Sequence, residues 1–442
     1  MTIDELKRAV DDGQVDTVLL AFADMEGRLQ GKRLTARHFL ADVADHGSEG
    51  CNYLLAVDVD METVGGYAMA SWERGYGDFE MKPDLSTLRP VPWHEGTVML
   101  MADLEWSDGT EVVASPRQIL RRQIDRLAER GLVANVGTEL EFIVFRDTYE
   151  EAWRKGFRDL EPANLYNIDY SLLGSARVEP LIRRIRNEMM AAGMEVENSK
   201  GECNLGQHEI NFHYGEALRT ADEHAIYKTG AKEIASQEDH AITFMAKFNE
   251  REGNSCHIHC SLASEGGGNL FADDQEAFDR FVAGQLAALR EMTLIYAPHI
   301  NSYKRFAEGT CAPTSVAWGR DNRTCSMRVV GHGQGARVEN RLPGADVNPY
   351  LAIAAMIAAG LKGMDDGLEL EAPVEGNAYV TDHPKVPSNI YEARDLFAAS
   401  ELAREAFGAE VVDHYVNRAQ VEIDAFESAV TDWERFRGFE RL

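Results

Sequence analysis

Two glutamates lie two positions apart in an otherwise apolar stretch of the chain, residues 136–145. If this stretch is a strand, the side chains of Glu139 and Glu141 point to one face, about 6–7 Å apart. Two carboxylates on a buried strand are unfavourable unless positive charge neutralises them. Divalent metal ions or a basic side chain would supply that charge. The simpler alternative is an edge strand whose glutamates face water.

Three further segments, residues 201–212, 254–262 and 336–342, carry charged or metal-ligating side chains on one face of a predicted strand. Taken singly, the histidines fit hydrogen-bonded core positions, and the arginines fit a surface ladder of ion pairs. Taken together, the carboxylates and a histidine indicate a site for two or three divalent cations, and oxygen-rich ligands favour Mg²⁺ or Mn²⁺. The candidates are Glu139, Glu141, Glu202, Glu209 and Glu339, with His257 or His259.

Two cysteines flank these histidines and raise the alternative of a zinc site. Cys256, His257, His259 and Cys260 all lie within five residues. Adjacent residues of a strand point to opposite faces, so these four side chains would not converge on one ion. The segment therefore does not predict a zinc site.

Arginines cluster in two segments of the C-terminal half, residues 301–305 and 320–328. Their guanidinium groups are suited to the oxygens of carboxylates and phosphates. Metal ions beside clustered arginines suit phosphoryl transfer, because its barrier is lowered by charge neutralisation and alignment. The chain has no Gly-x4-Gly-Lys-Ser/Thr segment, so it does not resemble a P-loop enzyme.

The overall composition limits the class of protein. The 442 residues are 44% hydrophobic, which suggests two or three domains. A net charge of −29 disfavours nucleic acid and anionic membranes as partners. Six cysteines in so long a chain do not suggest a disulfide framework, and Thr2 with Glu5 predicts a helix cap rather than a signal peptide. The longest apolar run, residues 350–361, is too short to span a bilayer, and we expect a cytoplasmic protein.

Turn signals and strand patterns predict a small strand-rich N-terminal domain, residues 1–113, and a larger domain, residues 114–442. The larger domain is expected to begin with a helix at Ser115 and Pro116 and then to alternate helices with strands. Strands of the small domain are predicted at residues 16–24, 31–35 and 97–102. Helices of the large domain are predicted at residues 180–192, 221–237, 275–296 and 349–361, with a helical tail at about 390–442.

Six motifs, in order along the chain, resemble those of the glutamine synthetase superfamily. They begin at Gly137 (GTELEF), Gly206 (GQHE), Gly253 (GNSCHIHCSL), Asn301 (NSYKRF), Asn322 (NR) and Arg337 (RVENR). The resemblance implies an α+β protein with a small β-grasp N-terminal domain. It also implies a large catalytic domain of the glutamine synthetase and guanido-kinase type, built on a curved antiparallel sheet. Further implications are ATP with Mg²⁺ or Mn²⁺, and a homododecamer of two hexameric rings whose active sites lie between subunits.

The resemblance also implies a role for each matching residue. One metal site corresponds to Glu141, Glu202 and Glu209, and the second, at the nucleotide phosphates, corresponds to Glu139, His257 and Glu339. The remaining assignments are Arg305, Arg341 and Gly253 for glutamate, Arg323 and Arg328 for the transferred phosphate, His259 and Arg337 for ATP, and Asp60 as a carboxylate of the ammonium site. Asp60, Arg323 and Glu202 are the expected catalytic residues.

One motif departs from the pattern of ammonia-using glutamine synthetases. Where those enzymes carry a flap glutamate in a Gly-x-Glu-Ala-Pro context, residues 308–313 place Cys311. Glu308 lies nearby, but the register of the surrounding residues argues against it as a replacement. A smaller, uncharged side chain leaves an ammonium pocket with less attraction for a bare cation and more room for an alkyl group. The alternative is that Cys311 is a neutral change in an ammonia-using enzyme.

The segments around Glu202 and Tyr303 are similar to those of bacterial paralogues that ligate glutamate to amines, first to glutamate–ethanolamine ligases and then to polyamine ligases. We therefore predict ligation of the glutamate γ-carboxylate to an ethanolamine-like amine through γ-glutamyl phosphate. Three alternatives remain: an ammonia-dependent glutamine synthetase, a non-catalytic sensor or scaffold with the same fold, and a guanidino-type phosphotransferase.

Overall fold

The computed structural model describes residues 1–264 and 266–442. Its N-terminal part forms a mixed sheet in the order β2-β1-β6-β4-β3, with β5 paired to β6. β1 pairs in parallel with β6 and antiparallel with β2. The strands are β1 (Thr17–Ala23), β2 (Leu29–Thr35), β3 (Ser48–Cys51), β4 (Asp78–Pro83), β5 (Arg89–Pro90) and β6 (Thr97–Glu105).

A second, larger sheet follows in the order β13-β14-β15-β12-β7-β9-β8, and β10 and β11 also pair with β7. All its pairs are antiparallel except β13 with β14. Its strands are β7 (Leu132–Phe145), β8 (Val196–Gly201), β9 (Gln207–Phe212), β10 (Gly215–Glu216), β11 (Ala241–Thr243), β12 (Cys256–Ser264), β13 (Trp318–Arg320), β14 (Met327–Val330) and β15 (Arg337–Asn340). The predicted α+β class, with a β-grasp sheet followed by a curved, largely antiparallel sheet, is confirmed.

The helices agree with the predicted ones at most positions. The exceptions are the predicted helix at 275–296, which is two helices separated near Leu289, and the one at 349–361, which continues to Asp366 and ends at Gly367 in the left-handed conformation. The helices are α1 (Ile3–Asp11), α2 (Ala36–His38), α3 (Ala44–His46), α4 (Pro116–Ala128), α5 (Tyr149–Arg154), α6 (Leu172–Ser175), α7 (Glu179–Ala191), α8 (Ala217–Gln237), α9 (Leu270–Asp273), α10 (Gln275–Ala288), α11 (Thr293–Tyr296), α12 (Pro349–Asp366), α13 (Ile390–Ala399), α14 (Glu401–Phe407), α15 (Ala409–Ser428) and α16 (Asp432–Gly438).

Of two predicted helix caps, one forms as expected and one does not. Thr2 and Glu5 form the expected capping box at the start of α1. Ser115 precedes α4 as expected, but its side chain makes no capping hydrogen bond, and Pro116 supplies the first-turn signal instead. None of the helices in the described parts of the chain is long and apolar enough to cross a membrane.

A buried arginine connects the two sheets. Arg117 on α4 donates to Asp222 on α8 at 2.9 Å, to Asp103 on β6 at 2.6 Å and to Asp84 at 2.8 Å. Its side chain is only 1% exposed, so these carboxylates, rather than water, neutralise its charge. The chain between the sheets is thus fixed by charge as well as by apolar packing, while the domain boundary at residue 113 stays a prediction.

The long strand β7 lies near the centre of the larger sheet and determines where the candidate site forms. Its pairing with β12 places Glu139 opposite His257, and its pairing with β9 places Glu141 opposite Glu209. β12 in turn pairs with β15, which brings His259 opposite Glu339. The antiparallel register therefore assembles acidic side chains that are far apart in the sequence. The alternating pattern predicted the face on which these side chains lie, and the family motifs predicted their convergence.

Candidate active site

The first ligand cluster consists of Glu139, His257 and Glu339, one from each of β7, β12 and β15. Nδ1 of His257 lies 3.2 Å from Oε2 of Glu139 and 3.4 Å from Oε1 of Glu339. The other ring nitrogen, Nε2, is buried and has no hydrogen-bond partner among the described residues. Burial, followed by the nearby Arg341, lowers the pKa of His257 to about 4, so the imidazole is neutral at pH 7. A neutral ring is the form that binds a metal ion.

Two arginines compensate the negative charge of this cluster. Arg328 donates through Nη1 to Oε2 of the fully buried Glu339 at 2.9 Å, and Arg341 donates to its other oxygen. Burial alone would raise the pKa of Glu339, but the charges of His257 and Arg341 outweigh it and lower that pKa. Hydrogen bonds from two histidines likewise outweigh burial and hold the pKa of Glu139 well below its ordinary value. Both carboxylates are therefore ionised.

The second ligand cluster consists of Glu141, Glu202 and Glu209, whose carboxylates all lie within 4.8 Å of one another. The amide of Ser255 donates to Oε2 of Glu141 at 2.7 Å, and Gln207 donates to the same oxygen at 3.1 Å. These bonds fix the direction of the carboxylate at the end of β7.

Positive charge is scarcer in the second cluster than in the first. Lys200 pairs with Glu202 and, at 3.5 Å, with Glu209, so one ammonium group contacts two of the three carboxylates. Burial, followed by the charge of Glu209, raises the pKa of Glu141 to about 7, and burial also raises the pKa of Glu209. The single ammonium group therefore leaves the cluster with an excess of negative charge.

Both clusters fit divalent metal ions. The first offers two ionised carboxylates and a neutral imidazole, and the second offers three carboxylates with a lysine ammonium group already among them. Oxygen-rich sets of this kind suit Mg²⁺ or Mn²⁺. Bound there, such ions would neutralise phosphate oxygens and polarise a carboxylate.

We expect metal binding at the second cluster to weaken as the pH falls below about 7. A metal ion binds the carboxylate form, and with a pKa of about 7 Glu141 must release a proton first, at a cost of up to about tenfold in affinity per pH unit. The first cluster should not contribute, because the pKa values of its groups are lowered. Calorimetric titration of the metal-free protein with Mg²⁺ at about pH 6, 7 and 8, in two buffers of different ionisation enthalpy, measures affinity and proton release.

The variant Glu141→Gln is the control for this prediction. It cannot take up or release a proton at position 141, so its remaining metal binding should depend less on pH, and release fewer protons, than that of the unchanged protein. Equal affinities of the unchanged protein at pH 6 and pH 8, without proton release, would contradict the assignment of Glu141 to the metal site.

Two cavities meet at these clusters. One, of about 830 Å³, is lined by all three residues of the second cluster, and the other is of about 490 Å³. Glu139 and Asn211 line both cavities, so the first cluster lies where they join. A ligand in one cavity could thus reach a ligand in the other beside Glu139.

The smaller cavity contains the two residues predicted to contact ATP. Arg337 donates through Nε to Nδ1 of His259 at 3.2 Å, which leaves Nε2 of His259 to donate to Oε1 of Glu139 at 2.9 Å. Gln334 and Asn269 also line this cavity, and the backbone N–H of Asn269 donates to Oε1 of Gln334 at 2.7 Å. The chain of contacts ties the walls of the smaller cavity to the first ligand cluster.

The larger cavity brings together most of the predicted substrate-binding residues. Gly253, Cys311, Arg323, Arg328 and Arg341 all line it. A Cβ at Gly253 would lie 2.4 Å from the carbonyl oxygen of Ala246, so this position accommodates glycine alone.

Arg305 differs from the other predicted substrate-binding residues. Its side chain is 2% exposed and does not line the larger cavity. It donates instead to the backbone carbonyls of Arg341 and Leu342, both at 2.9 Å, and to Ser255 Oγ at 3.3 Å. Burial lowers the pKa of Arg305 to about 10. In this arrangement Arg305 supports the backbone that carries Arg341, and its direct contact with a substrate stays a prediction.

Cys311 and Asp60 occupy very different places. Cys311 is exposed, lies in the left-handed region with φ 58°, and accepts a hydrogen bond of 3.2 Å from Arg341 on its carbonyl. Asp60 lies in the N-terminal half, is exposed, and does not line either cavity. The chain therefore does not bring Asp60 to its own ligand clusters.

Several residues of the site were not predicted. Lys200 and Gln207 contact the second cluster, and Asp169 and Tyr170 line the larger cavity beside it. Lys200 lies opposite Glu209 through the pairing of β8 with β9, which alternation along a single strand does not reveal. Asp169 and Tyr170 lie in an irregular segment, where no period indicates which way a side chain points.

The catalytic-domain model of glutamine synthetase matches residues 113–437 of the chain. With this match and the paired ligand clusters, the chain belongs to the glutamine synthetase family, and it is a ligase by class.

Within this family, the chain is similar to proteins named as ligases of glutamate and amines. Over its full length the chain is 64% identical to γ-glutamylethanolamide synthetase GlnA4 of Streptomyces coelicolor, of which it covers 96%. It is 37% identical to the glutamate–isopropylamine ligase of a Pseudomonas species, with 97% of the chain and 96% of that protein covered. Among solved structures, GmaS in complex with ADP superposes with a TM-score of 0.87 at 26% identity, covering 98% of this chain and 99% of that one.

Proposed function

We propose that this protein joins the γ-carboxylate of glutamate to a small primary amine, with ethanolamine favoured, and converts ATP to ADP and phosphate. The observation that carries the proposal is the convergence of two metal-ligand clusters where two cavities meet. A nucleotide in the smaller cavity would present its phosphates beside Glu139, opposite a substrate in the larger one. The relatives that ligate glutamate to ethanolamine and isopropylamine support the substrate class.

The reaction would proceed in two displacements. A γ-carboxylate oxygen of glutamate attacks the terminal phosphorus of ATP, the bond to the bridging oxygen breaks, and ADP leaves. The amine nitrogen then attacks the acyl carbon of γ-glutamyl phosphate, and inorganic phosphate leaves, because it is a far better leaving group than oxide. Arg323 and Arg328 would hold the phosphoryl oxygens, and Arg341 would hold the glutamate.

Cys311 and Asp60 would define the amine end of the site. The neutral, small side chain of Cys311 leaves space for the carbon chain of an amine. Asp60 would take the proton from the amine as it reacts, and it would do so across a subunit interface, since it lies outside its own chain's cavities. We also propose a homododecamer of two rings; the exposed apolar surface of α16, which includes Trp433, Phe436 and nearby Phe439, supports contacts between subunits. A cytoplasmic location is part of the same proposal.

One assay tests the proposal. Phosphate release is measured with ATP, glutamate and Mg²⁺, adding ammonium, ethanolamine, methylamine or putrescine singly. We expect turnover to depend on glutamate and to be highest with ethanolamine, and mass spectrometry should detect the γ-glutamylamide.

Three other outcomes of this assay separate the alternatives. Strong turnover with ammonium alone would identify an ammonia-dependent glutamine synthetase and would defeat the assignment of Cys311. An absence of turnover with every amine would favour a non-catalytic sensor. Phosphoryl transfer to a guanidino compound without any amine requirement would favour a phosphotransferase.

A further inference from the structure

Lys200 places a positive charge inside the second ligand cluster. It lies near the end of β8, and the register of β8 with β9 sets it opposite Glu209. Its Nζ pairs with a carboxylate oxygen of Glu202 and lies 3.5 Å from Oε2 of Glu209. The ammonium group therefore occupies the neighbourhood of two of the three carboxylates that a metal ion would need.

The same ammonium group also lies close to the wall of the larger cavity. Nζ of Lys200 is 5.1 Å from the ring centroid of Tyr170, within the range of a cation–π contact. The Tyr170 amide donates to the carbonyl of Gly201 at 3.3 Å, which fixes this residue beside Lys200. The neighbouring Asp169 has a carboxylate oxygen within 4.8 Å of one from Glu202. Lys200 thus lies between the metal-ligating carboxylates and the ring of Tyr170, and Asp169 lies beside Glu202.

These two sets of contacts imply two positions for one tethered charge. A divalent ion bound by Glu141, Glu202 and Glu209 repels a neighbouring ammonium group and removes its carboxylate partners. Lys200 is fixed to β8 and lines the larger cavity, so its ammonium group stays within reach of that cavity. The ring of Tyr170 and the carboxylate of Asp169 are the contacts that stay available to it there.

We propose that Lys200 is a specificity-determining residue: it keeps a positive charge in the larger cavity and disfavours amines that carry a second positive charge. This inference rests on the proposed glutamate–amine ligase function. Cys311 lines the same cavity, so the pocket combines space for a carbon chain with a resident cation.

The resident cation separates two classes of primary amine. An amine with a hydroxyl group at its far end can accept a hydrogen bond from the ammonium group of Lys200. A diamine of similar length presents a second ammonium group, and two like charges in a confined cavity repel each other. The substrate class is therefore a monoamine with a neutral, hydrogen-bonding tail rather than a diamine.

Lys200→Met tests this inference, because methionine keeps much of the length of the side chain and removes its charge. We expect the ratio of kcat/KM for ethanolamine to that for putrescine to fall by about tenfold or more, mainly through a gain with putrescine. We also expect the metal-free variant to bind Mn²⁺ more tightly in calorimetry, since the competing internal cation is gone. Lys200→Arg keeps the charge and should keep the discrimination between the two amines.

The outcomes separate this inference from the proposed function. If the unchanged enzyme uses ethanolamine and Lys200→Met leaves both the amine ratio and the Mn²⁺ affinity unaltered, the role of Lys200 is overturned and the ligase function stands. Loss of turnover with both amines in Lys200→Met and in Lys200→Gln would also overturn it, by giving Lys200 an indispensable role. Absence of amine turnover in the unchanged enzyme would overturn the proposed function itself.

Discussion

Replacing Glu339 with glutamine should lower kcat by about a thousandfold or more, because it removes a charge that the first ligand cluster cannot replace. Glu339 is fully buried and sits among Nδ1 of His257, the Nη1 atom of Arg328 and the guanidinium group of Arg341. Glutamine has nearly the same size, so packing is preserved. Its amide, however, cannot offset two arginines and hold a divalent ion at the same time. Phosphate release at saturating ATP, glutamate and ethanolamine measures the effect.

A second variant distinguishes loss of metal binding from loss of folding. Glu339→Gln leaves two buried guanidinium groups short of negative charge and is expected to lower the melting temperature as well. Glu139 belongs to the same cluster, but its side chain is 33% exposed, so Glu139→Gln should lose comparable activity with a smaller change in melting temperature. Glu129→Gln, an exposed position at the end of α4, is the matched control and should keep normal activity. Full activity of either cluster variant would remove that residue from the metal site.

The sequence predicts some features of the ligand clusters better than others. Alternation along a strand is a local property, and it correctly placed Glu139 and Glu141 on one face of β7. Alternation does not specify which strands are neighbours, and Glu209, His257 and Glu339 come from three different strands. Their convergence depends on pairing between strands that are far apart in the sequence, so it was predicted through the family motifs.

One helix differs from its prediction, and one side chain makes contacts that were not predicted. The predicted helix at 275–296 satisfies the apolar pattern throughout, yet the structure ends α10 at Ala288 and restarts the helix at Thr293. Arg305 was predicted to contact a substrate, but a guanidinium group has several donors, and the nearby carbonyls of Arg341 and Leu342 take two of them. Periodicity and residue type alone do not determine which of several acceptors a long side chain selects.

Lys200 shows how the second cluster balances its charge. Buried acidic residues require metal ions or a basic side chain nearby, and the second cluster combines a lysine ammonium group with three carboxylates that could hold a metal ion. A single ammonium group is not enough for three carboxylates, as the raised pKa of Glu141 shows: burial and the charge of Glu209 move it to about 7. The lysine therefore reduces the excess of negative charge without removing the need for a metal ion.

Introducing glutamate at position 311 should shift the enzyme towards ammonium, with the ratio of kcat/KM for ammonium to that for ethanolamine rising by about tenfold or more. Cys311 is exposed on the wall of the larger cavity, so a carboxylate there can attract a bare cation. The left-handed backbone at φ 58° already carries a Cβ, so the substitution adds no new strain of that kind. The longer side chain also fills space that an alkyl group would need. Initial rates with each amine over a range of concentrations measure the ratio.

The neutral variant Cys311→Gln separates charge from volume in this prediction. Glutamine fills the cavity as glutamate does but offers no negative charge, so it should lose activity with ethanolamine without gaining activity with ammonium. A gain with ammonium in Cys311→Gln as large as in Cys311→Glu would show that volume alone selects the amine. Unchanged selectivity in both variants would show that position 311 does not face the amine, and the specificity would then have to come from other residues that line the cavity, among them Lys200 and Tyr170.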